Sequence, residues 1–543
     1  MQPHCKGSAT LCLTILGCLL MIAGGCGANN NPRPATNFVY QDPKTVKETA
    51  PAPAPAPSPA EPPKLAGELR RPEAPARLTL LEAIADALRK NQKIQVSSFT
   101  PRQAAQDLRG AEAVYNSSIF SSGNLGRVNR PTNSLLDTGT LKETELLESR
   151  RFLQAGAKKL LPSGATVSVY QELDRLASNS LFVVPDPQST SRLVMEVSQP
   201  LAKGFWDKSN RAVITIAKLT VDISNDEFRQ TVMDVVAEVG RTYWQLAMER
   251  EFESIAKQTL IMAEEVYRRE NERLAQGIST QLDTDRALAA VETRRSDLLR
   301  SQTRIKMLSD QLKLLLHAAE GCPEIIPLSK PLQTPITVDP DQARAEALKN
   351  RPELERAKKA VDVSQARKDL AQHNRLPKLN AVFRLTKNGL GGVAGRAVDM
   401  AYANDHNSWL AAVEFEYPLG NQAARAEYDK RSLEYDQSST EVSRVKEQVA
   451  SEVSLSTREI NLAQKEIPST LQAKTASERV VVSENARFEL GKKSNEELLR
   501  AQDQLAAAAR EYTRAVVNYN TSLIGFSRAK GTILKEIGIE IKE

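Results

Sequence analysis

Histidines, cysteines and closely spaced carboxylates are the side chains here that could do chemistry, and their placement argues against catalysis. The four histidines, His4, His317, His373 and His406, lie far apart, with no cysteine or carboxylate at metal-ligand spacing. A zinc centre or a histidine-dependent reaction is therefore not expected, and no metal is expected. Asp283 and Asp285 come closest to a carboxylate pair. Two residues apart on a helix, however, they do not share a face. No enzyme is expected from these residues.

The cysteine that matters is Cys26. Met1 to Gly25 holds Lys6, then an apolar run from Leu11 to Ala23, then Gly24-Gly25-Cys26. That run is too short to span a bilayer and reads as the core of a signal peptide, residues 1–25. Ala23-Gly24-Gly25-Cys26 resembles a bacterial lipobox, with Ala23 where leucine is usual. The resemblance implies a covalent lipid on Cys26 as the new first residue, with no other cofactor. Gly27 after the cysteine, by likeness to bacterial lipoproteins, implies the outer membrane. Cys5, Cys12 and Cys18 would leave with the signal, so Cys322 would have only Cys26 beside it and no disulfide framework is expected. The rest of residues 26–77 reads as a tether, since Pro51-Ala-Pro-Ala-Pro-Ala-Pro-Ser-Pro and Pro62-Pro63 favour extended polyproline II.

The elements that follow come from composition and period. The 543 residues are rich in Leu, Ala, Glu, Gln, Lys and Arg and only 5% aromatic, the make-up of long helices. A net charge of +6 arises from interspersed residues of both signs, with no basic arm, so nucleic acid is not an expected partner.

The body beyond the tether repeats itself. Glu82-Ala83-Ile84-Ala85-Asp86-Ala87-Leu88 aligns on Gln342-Ala343-Arg344-Ala345-Glu346-Ala347-Leu348, Gln199-Pro200-Leu201 on Tyr417-Pro418-Leu419, and Glu270–Gly277 on Glu484–Gly491. The offset falls from 260 to 218 to 214, so the first copy carries roughly 40 extra residues before Pro200. The copies are placed at residues 78–320 and 339–535, with a linker at 321–338 and a tail at 536–543. Each reads short helix, strand region, long helix, glycine, returning helix. The elements fall at about 79–115, 117–200, 203–275 and 278–317, then at about 341–375, 378–418, 421–490 and 492–531.

Apolar spacings of three and four carry the helices, as at Ile255, Leu260, Met262 and Val266. Alternation carries the strands. Trp409, Ala411, Val413, Phe415 and Tyr417 share one face while Glu414 and Glu416 take the other, and Leu379, Ala381, Phe383 and Leu385 alternate with Asn380, Arg384 and Thr386. Such strands suit a half-buried sheet or a membrane barrel. The extra segment, about 127–190, holds a turn signal at Pro162-Ser163-Gly164 and alternation at Thr166 to Tyr170, and fits a surface hairpin or added barrel strands. Gly277 and Gly491 stand where each long helix must turn back.

This order resembles the TolC-type outer membrane factor family over about residues 78–535. Its carriers are Leu78-Thr79-Leu80-Leu81-Glu82-Ala83, Gln199-Pro200-Leu201, Asn210-Arg211-Ala212, Tyr243-Trp244-Gln245-Leu246, Arg487-Phe488-Glu489-Leu490-Gly491 and Asn518-Tyr519-Asn520. The resemblance implies a mainly α fold with a β contribution, in a homotrimer that shares one outer-membrane β-barrel and one periplasmic α-barrel. It implies a passive exit duct for a tripartite efflux or type I secretion system, partnered by a periplasmic adaptor, an inner-membrane pump and outer-membrane lipid. By position it assigns Arg273, Gly277, Ser279 and Asp283, with Arg487, Gly491, Ser494 and Glu497, to the periplasmic tip that meets the adaptor and forms the aperture. A second reading of the same residues is that Ser279 and Ser494 cap the returning helices, with Asp283 and Glu497 in their first turns. A periplasmic adaptor and a coiled-coil envelope lipoprotein are the alternative classes. Neither calls for a duplicated plan with strands before each long helix.

Overall fold

The computed structural model describes residues 39–40, 76–140, 142–205, 207–319, 321–403, 405–490 and 494–540. Cys26, the signal segment, Gly491 and the Lys492-Lys493 pair lie outside the described residues. The chain divides into two compact units. One is formed by Gln103–Val221 and Lys359–Ser439, the other by Ala35–Arg102, Asp222–Lys358 and Thr440–Glu543.

The first unit is built on one sheet. Its strands are β3 (Ser118–Pro131), β4 (Glu145–Leu160), β5 (Thr166–Ser178), β6 (Gln188–Pro200), β8 (Lys378–Gly391) and β9 (Asn407–Glu416), in the order β3-β4-β5-β6-β8-β9. Every neighbouring pair is antiparallel. The extra segment therefore resolves into β4, β5 and parts of their neighbours, full members of the sheet. The expected turn joins them. Gly164 N–H donates to the Leu161 carbonyl at 2.8 Å, and its φ is +86°, in the left-handed region that favours glycine. A Cβ at Gly164 would lie 2.2 Å from the Gly204 carbonyl oxygen, so no larger residue fits. Short helices α4 (Leu135–Thr138) and α10 (Ala394–Tyr402) sit in the β3–β4 and β8–β9 connections. Leu160, Gly164, Pro200, Asn210, Pro418 and Asn421 are among the residues lining a cavity of about 810 Å³ at the other end of the strands. There the Asn210 side-chain amide donates to the Pro162 and Gly204 carbonyls, and that of Asn421 to the Arg375 carbonyl.

The second unit is helical. In copy one α1 (Leu80–Lys90), α2 (Gln92–Ser97) and α3 (Phe99–Glu112) replace the single short helix expected over 79–115. Copy two has α8 (Pro340–Asn350) and α9 (Pro352–His373) where one helix was expected. The breaks fall at equivalent positions, Asn91 and Arg351, both extended and both buried. Arg351 precedes Pro352, which disfavours helical backbone at the residue before it. Asn91 accepts from Ile94 N–H and donates to the Leu315 carbonyl. Such polar side chains satisfy backbone groups that a break exposes.

The long helices are α6 (Ala212–Ala275) and α11 (Gln422–Glu489), and the returning ones α7 (Gln281–Leu316) and α12 (Asn495–Lys530). Helix α6 starts later than the expected residue 203. Gly204 takes a positive φ and the short helix α5 (Asp207–Asn210) intervenes before the helix sets. The linker is partly structured, with β7 (Ile325–Pro327) running parallel to β2 (Ala76–Leu78). Inside the expected tether, β1 (Val39–Tyr40) pairs with β10 (Ile539–Glu540) of the tail, just after α13 (Ile533–Glu536).

The Tyr-Trp and Asn-Tyr-Asn motifs prove to be core anchors. Tyr243, fully buried, donates through its hydroxyl to the Leu78 carbonyl and accepts from Leu328 and Ser329 N–H, closing the β2–β7 crossing. In copy two Tyr519 donates to the Thr334 carbonyl, while Asn520 clamps Leu332 through both its amide atoms. Each hydroxyl or amide so placed is satisfied, which lets these large polar side chains sit in an apolar core.

Candidate functional site: a two-faced sheet and two helix turns

The ladder registers sort every strand residue to one of two faces. On one face Ile119, Ala157, Val169, Met195, Leu385 and Trp409 stand directly opposite one another in a row across all six strands. Phe383 beside Val197 and Val167, Val413 beside Ala381, and Phe415 beside Leu379 extend the apolar surface along the strands. This surface is bare. Ile119 is 77% exposed, Trp409 74%, Val413 70% and Phe415 69%. An apolar area of that extent marks an interaction surface rather than an ordinary wetted one.

The opposite face carries ions. Arg384 pairs with Glu196 at 2.6 Å, Arg192 with Glu172 at 3.3 Å, and Arg150 donates to Asp174 at 2.9 Å through Nε. Each pair crosses between neighbouring strands. Apolar on one side, polar and ion-paired on the other, with a period of two, is the pattern of a strand between lipid and water. The strands are 10 to 16 residues long, and a tilted crossing takes about 9–11. Among the described residues no helix is long and apolar enough to cross a membrane.

Both helix turns lie in the helical unit. At the end of α6, Ile278 N–H donates to the Arg273 carbonyl and Gly277 N–H to the Leu274 carbonyl, both at 2.9 Å. Gly277 has φ +76° and a Cβ on it would meet open space, so it is backbone conformation that calls for glycine there. This is the Schellman closure, which satisfies carbonyls left over at a helix end.

One expectation needs correcting: Ser279 is not the cap of α7. That cap is Thr280, the residue equivalent to Ser494, whose Oγ1 accepts from Asp283 N–H while Asp283 Oδ2 accepts from Thr280 N–H. Ser279 N–H is taken up by the Arg273 carbonyl as the turn closes, and its hydroxyl donates to Glu270 Oε2. Glu270 is buried and also receives Arg273 at 3.3 Å. The second copy repeats the pairing, with Arg487 to Glu484 at 3.2 Å. Ser494 begins α12 as expected, and its N–H donates to Glu497 at 3.4 Å.

The two copies meet at this level. Arg273 lies over the Phe488 ring at 5.2 Å, Arg269 pairs with Glu489 at 3.2 Å, and the Asn495 side chain donates to the Asp283 carbonyl at 2.7 Å. Val266, Ala287, Phe488, Leu498 and Leu499 form a small apolar cluster between them. Seven of the eight expected tip residues are therefore gathered around two neighbouring turns, the eighth being Gly491 outside the described residues. Thr280, Glu270, Phe488 and Asn495 belong with them and were not among the expected tip residues. The capping-box spacing of Thr280 to Asp283 was the signal that could have found the first.

Comparison with known proteins decides the family. The family described as Outer membrane efflux protein matches residues 167–316 and 343–532, one match per repeat and together more than half of the chain. The chain belongs to the outer membrane efflux protein family. Solved structures agree in fold. A membrane protein from Pseudomonas aeruginosa is similar at a TM-score of 0.64 and 17% identity, over 83% of this chain and 93% of that one. The CmeC outer membrane channel of Campylobacter jejuni gives 0.61 and 15%, over 84% and 86%. The open state of the MtrE outer membrane channel of Neisseria gonorrhoeae gives 0.58 and 15%, over 84% and 89%. No curated protein matches the chain in sequence. The efflux protein is thus an outer-membrane channel and not an enzyme, and the adaptor and coiled-coil rod alternatives fall away.

Proposed function

We propose that three copies of this efflux protein close a single barrel in the outer membrane, and that their helical units form the periplasmic duct beneath it. The observation that carries this reading is the two-faced sheet with its two free edges. Among the described residues β3 and β9 each have a strand partner on one side only, so the edge backbone of one copy calls for the edge of another. Three six-stranded sheets would make a barrel of eighteen strands, inside the ~8–26 range of outer-membrane barrels. The apolar row would face lipid and the Arg–carboxylate ladder would face the water-filled lumen.

The turns at Arg273, Gly277, Ser279 and Asp283 and at Arg487, Gly491, Ser494 and Glu497 would then stand at the periplasmic aperture and meet an adaptor, which couples the duct to an inner-membrane pump. Cys26 would carry the lipid that anchors the chain to the inner leaflet, with the rest of residues 26–77 as tether. The family assignment, the paired Arg–Glu turns and the lipobox support these roles respectively.

Electron microscopy of the detergent-extracted protein with a mass measurement tests the assembly. A hollow cylinder of three chains is expected, and a monomer or solid rod would overturn it. Mass spectrometry of the N-terminal peptide tests the lipid, which Cys26→Ala should abolish.

A further inference from the structure

The lipid-facing side of the sheet holds an arginine cluster that none of the above explains. Beyond the apolar row, towards the β3–β4, β5–β6 and β8–β9 connections, the register places Leu125, Arg151, Arg175, Ser189 and Gly391 side by side. Arg151 and Arg175 are directly opposite each other on adjacent strands. Like charges so placed repel and destabilise a sheet. Both are exposed, and among the described residues neither has an ion-pair partner. Arg127 stands on the same face of β3, one step further out. The nearby carboxylate Asp174 is on the other face, engaged by Arg150.

A groove of about 430 Å³ opens beside the pair. Its walls include Leu125, Leu153 and Leu173, together with Ala394 at the first turn of α10. Helix α10 starts at Val393, which has no side-chain cap bond, so its positive end adds to the field of the two guanidiniums. An apolar groove with unpaired arginines at its mouth fits a molecule that has chains and an anion.

We propose that Arg151 and Arg175 form a binding site for the phosphate of a phosphorylated glycolipid in the outer leaflet, its acyl chain lying in the groove along Leu125, Leu153 and Leu173. The site rests on the barrel reading above, because only that reading turns this face to lipid. Its height agrees. Arg151 lies six residues along β4 from Ala157 in the apolar row, about 20 Å at strand rise, so the arginines stand at the rim of the apolar band away from the strand ends that join the helices. Phosphate bound there would relieve the repulsion between the two arginines.

The test uses the full-length protein purified in detergent, analysed by native mass spectrometry and thermal unfolding. Three probes are added separately: lipid A with both phosphates, the same glycolipid with both removed, and inorganic phosphate. The phosphorylated glycolipid should bind the trimer at least about tenfold tighter than the dephosphorylated one and raise its Tm, and inorganic phosphate should do neither. R151Q/R175Q should remove that preference while leaving the lipid-free protein no less stable, and K159Q, at the opposite margin of the same face, should leave it intact. A trimer that binds both glycolipids equally, or a double variant that keeps the preference, overturns the site. An equal shift with inorganic phosphate alone reduces it to a plain anion site and also overturns it. Failure of the barrel reading looks different, since the protein would then not be a trimer and would bind neither glycolipid.

Discussion

The side-chain amide of Asn495 donates to the main-chain oxygen of Asp283 at 2.7 Å, tying the first turn of α12 to that of α7. Asn495 is only 3% exposed, so this link between the two repeats is sheltered from water. Asn495→Ala removes it and should cost about 0.5–1.5 kcal/mol locally, the net value of a protein hydrogen bond. With the two turns at the aperture, that loosening should raise single-channel conductance in planar bilayers with little change in overall Tm. A variant with unchanged conductance would place the aperture elsewhere.

The corrected cap separates Thr280 from its neighbour. Thr280→Ala removes a capping box and should destabilise the start of α7 by about 1 kcal/mol, as N-cap losses do. Ser279→Ala leaves the cap whole and strips one donor from the buried Glu270 carboxylate, which keeps Arg273. Amide hydrogen exchange in the first turn of α7 should quicken in the Thr280 variant and not in the Ser279 one. Adaptor cross-linking yield should respond to Ser279 if that hydroxyl shapes the contact surface.

Acid should loosen the helix end just before the turn. The Arg268 guanidinium first, and Arg269 after it, hold the Glu265 carboxyl down from 4.5 to about 2. A carboxylate held below its ordinary range stabilises the fold fully above that range, and the contribution is lost as pH falls towards the folded value. Its window is therefore between about pH 5 and pH 2. Glu265→Gln should be less stable than wild type near neutrality and should lose less on going down through that window. Parallel loss in both proteins, followed by thermal unfolding of the helical signal, would show the pairing to be inert. The Glu265 side chain is 41% exposed, so the difference should shrink in high salt.

What was legible in sequence follows from how locally each feature is encoded. The long helices and the alternating strands show because period and side-chain type lie within a few consecutive residues, and the duplication repeats them. The returning turns show because Gly277 must take a left-handed φ. The break at Asn91 stayed hidden, since its reason lies in tertiary partners such as the Leu315 carbonyl, whereas the break at Arg351 had a local signal in Pro352. The ion ladder stayed hidden too. Arg384 and Glu196 are 188 residues apart, and only the β6–β8 register makes them neighbours. Ser279 and Thr280 were confused because both carry hydroxyls, and the choice depends on how far the Schellman closure of α6 extends.

The lipid-facing assignment makes the sharpest test of the sheet. Val413 and Ala412 are adjacent in β9 and must point to opposite faces, Val413 with Ala381 and Ala412 with Val382 across from them. Lysine at a lipid-facing position near mid-membrane costs about 2–4 kcal/mol, whereas lumen positions tolerate charge. Val413→Lys should therefore sharply lower the yield of folded trimer in the outer membrane, and Ala412→Lys should leave the trimer assembled with an altered ion selectivity. Reversal of these two outcomes would turn the sheet inside out, placing the apolar row in the lumen and the arginine ladder against lipid. Such an arrangement would bury Arg192 and Arg384 in hydrocarbon, which is why the outcome stated first is expected.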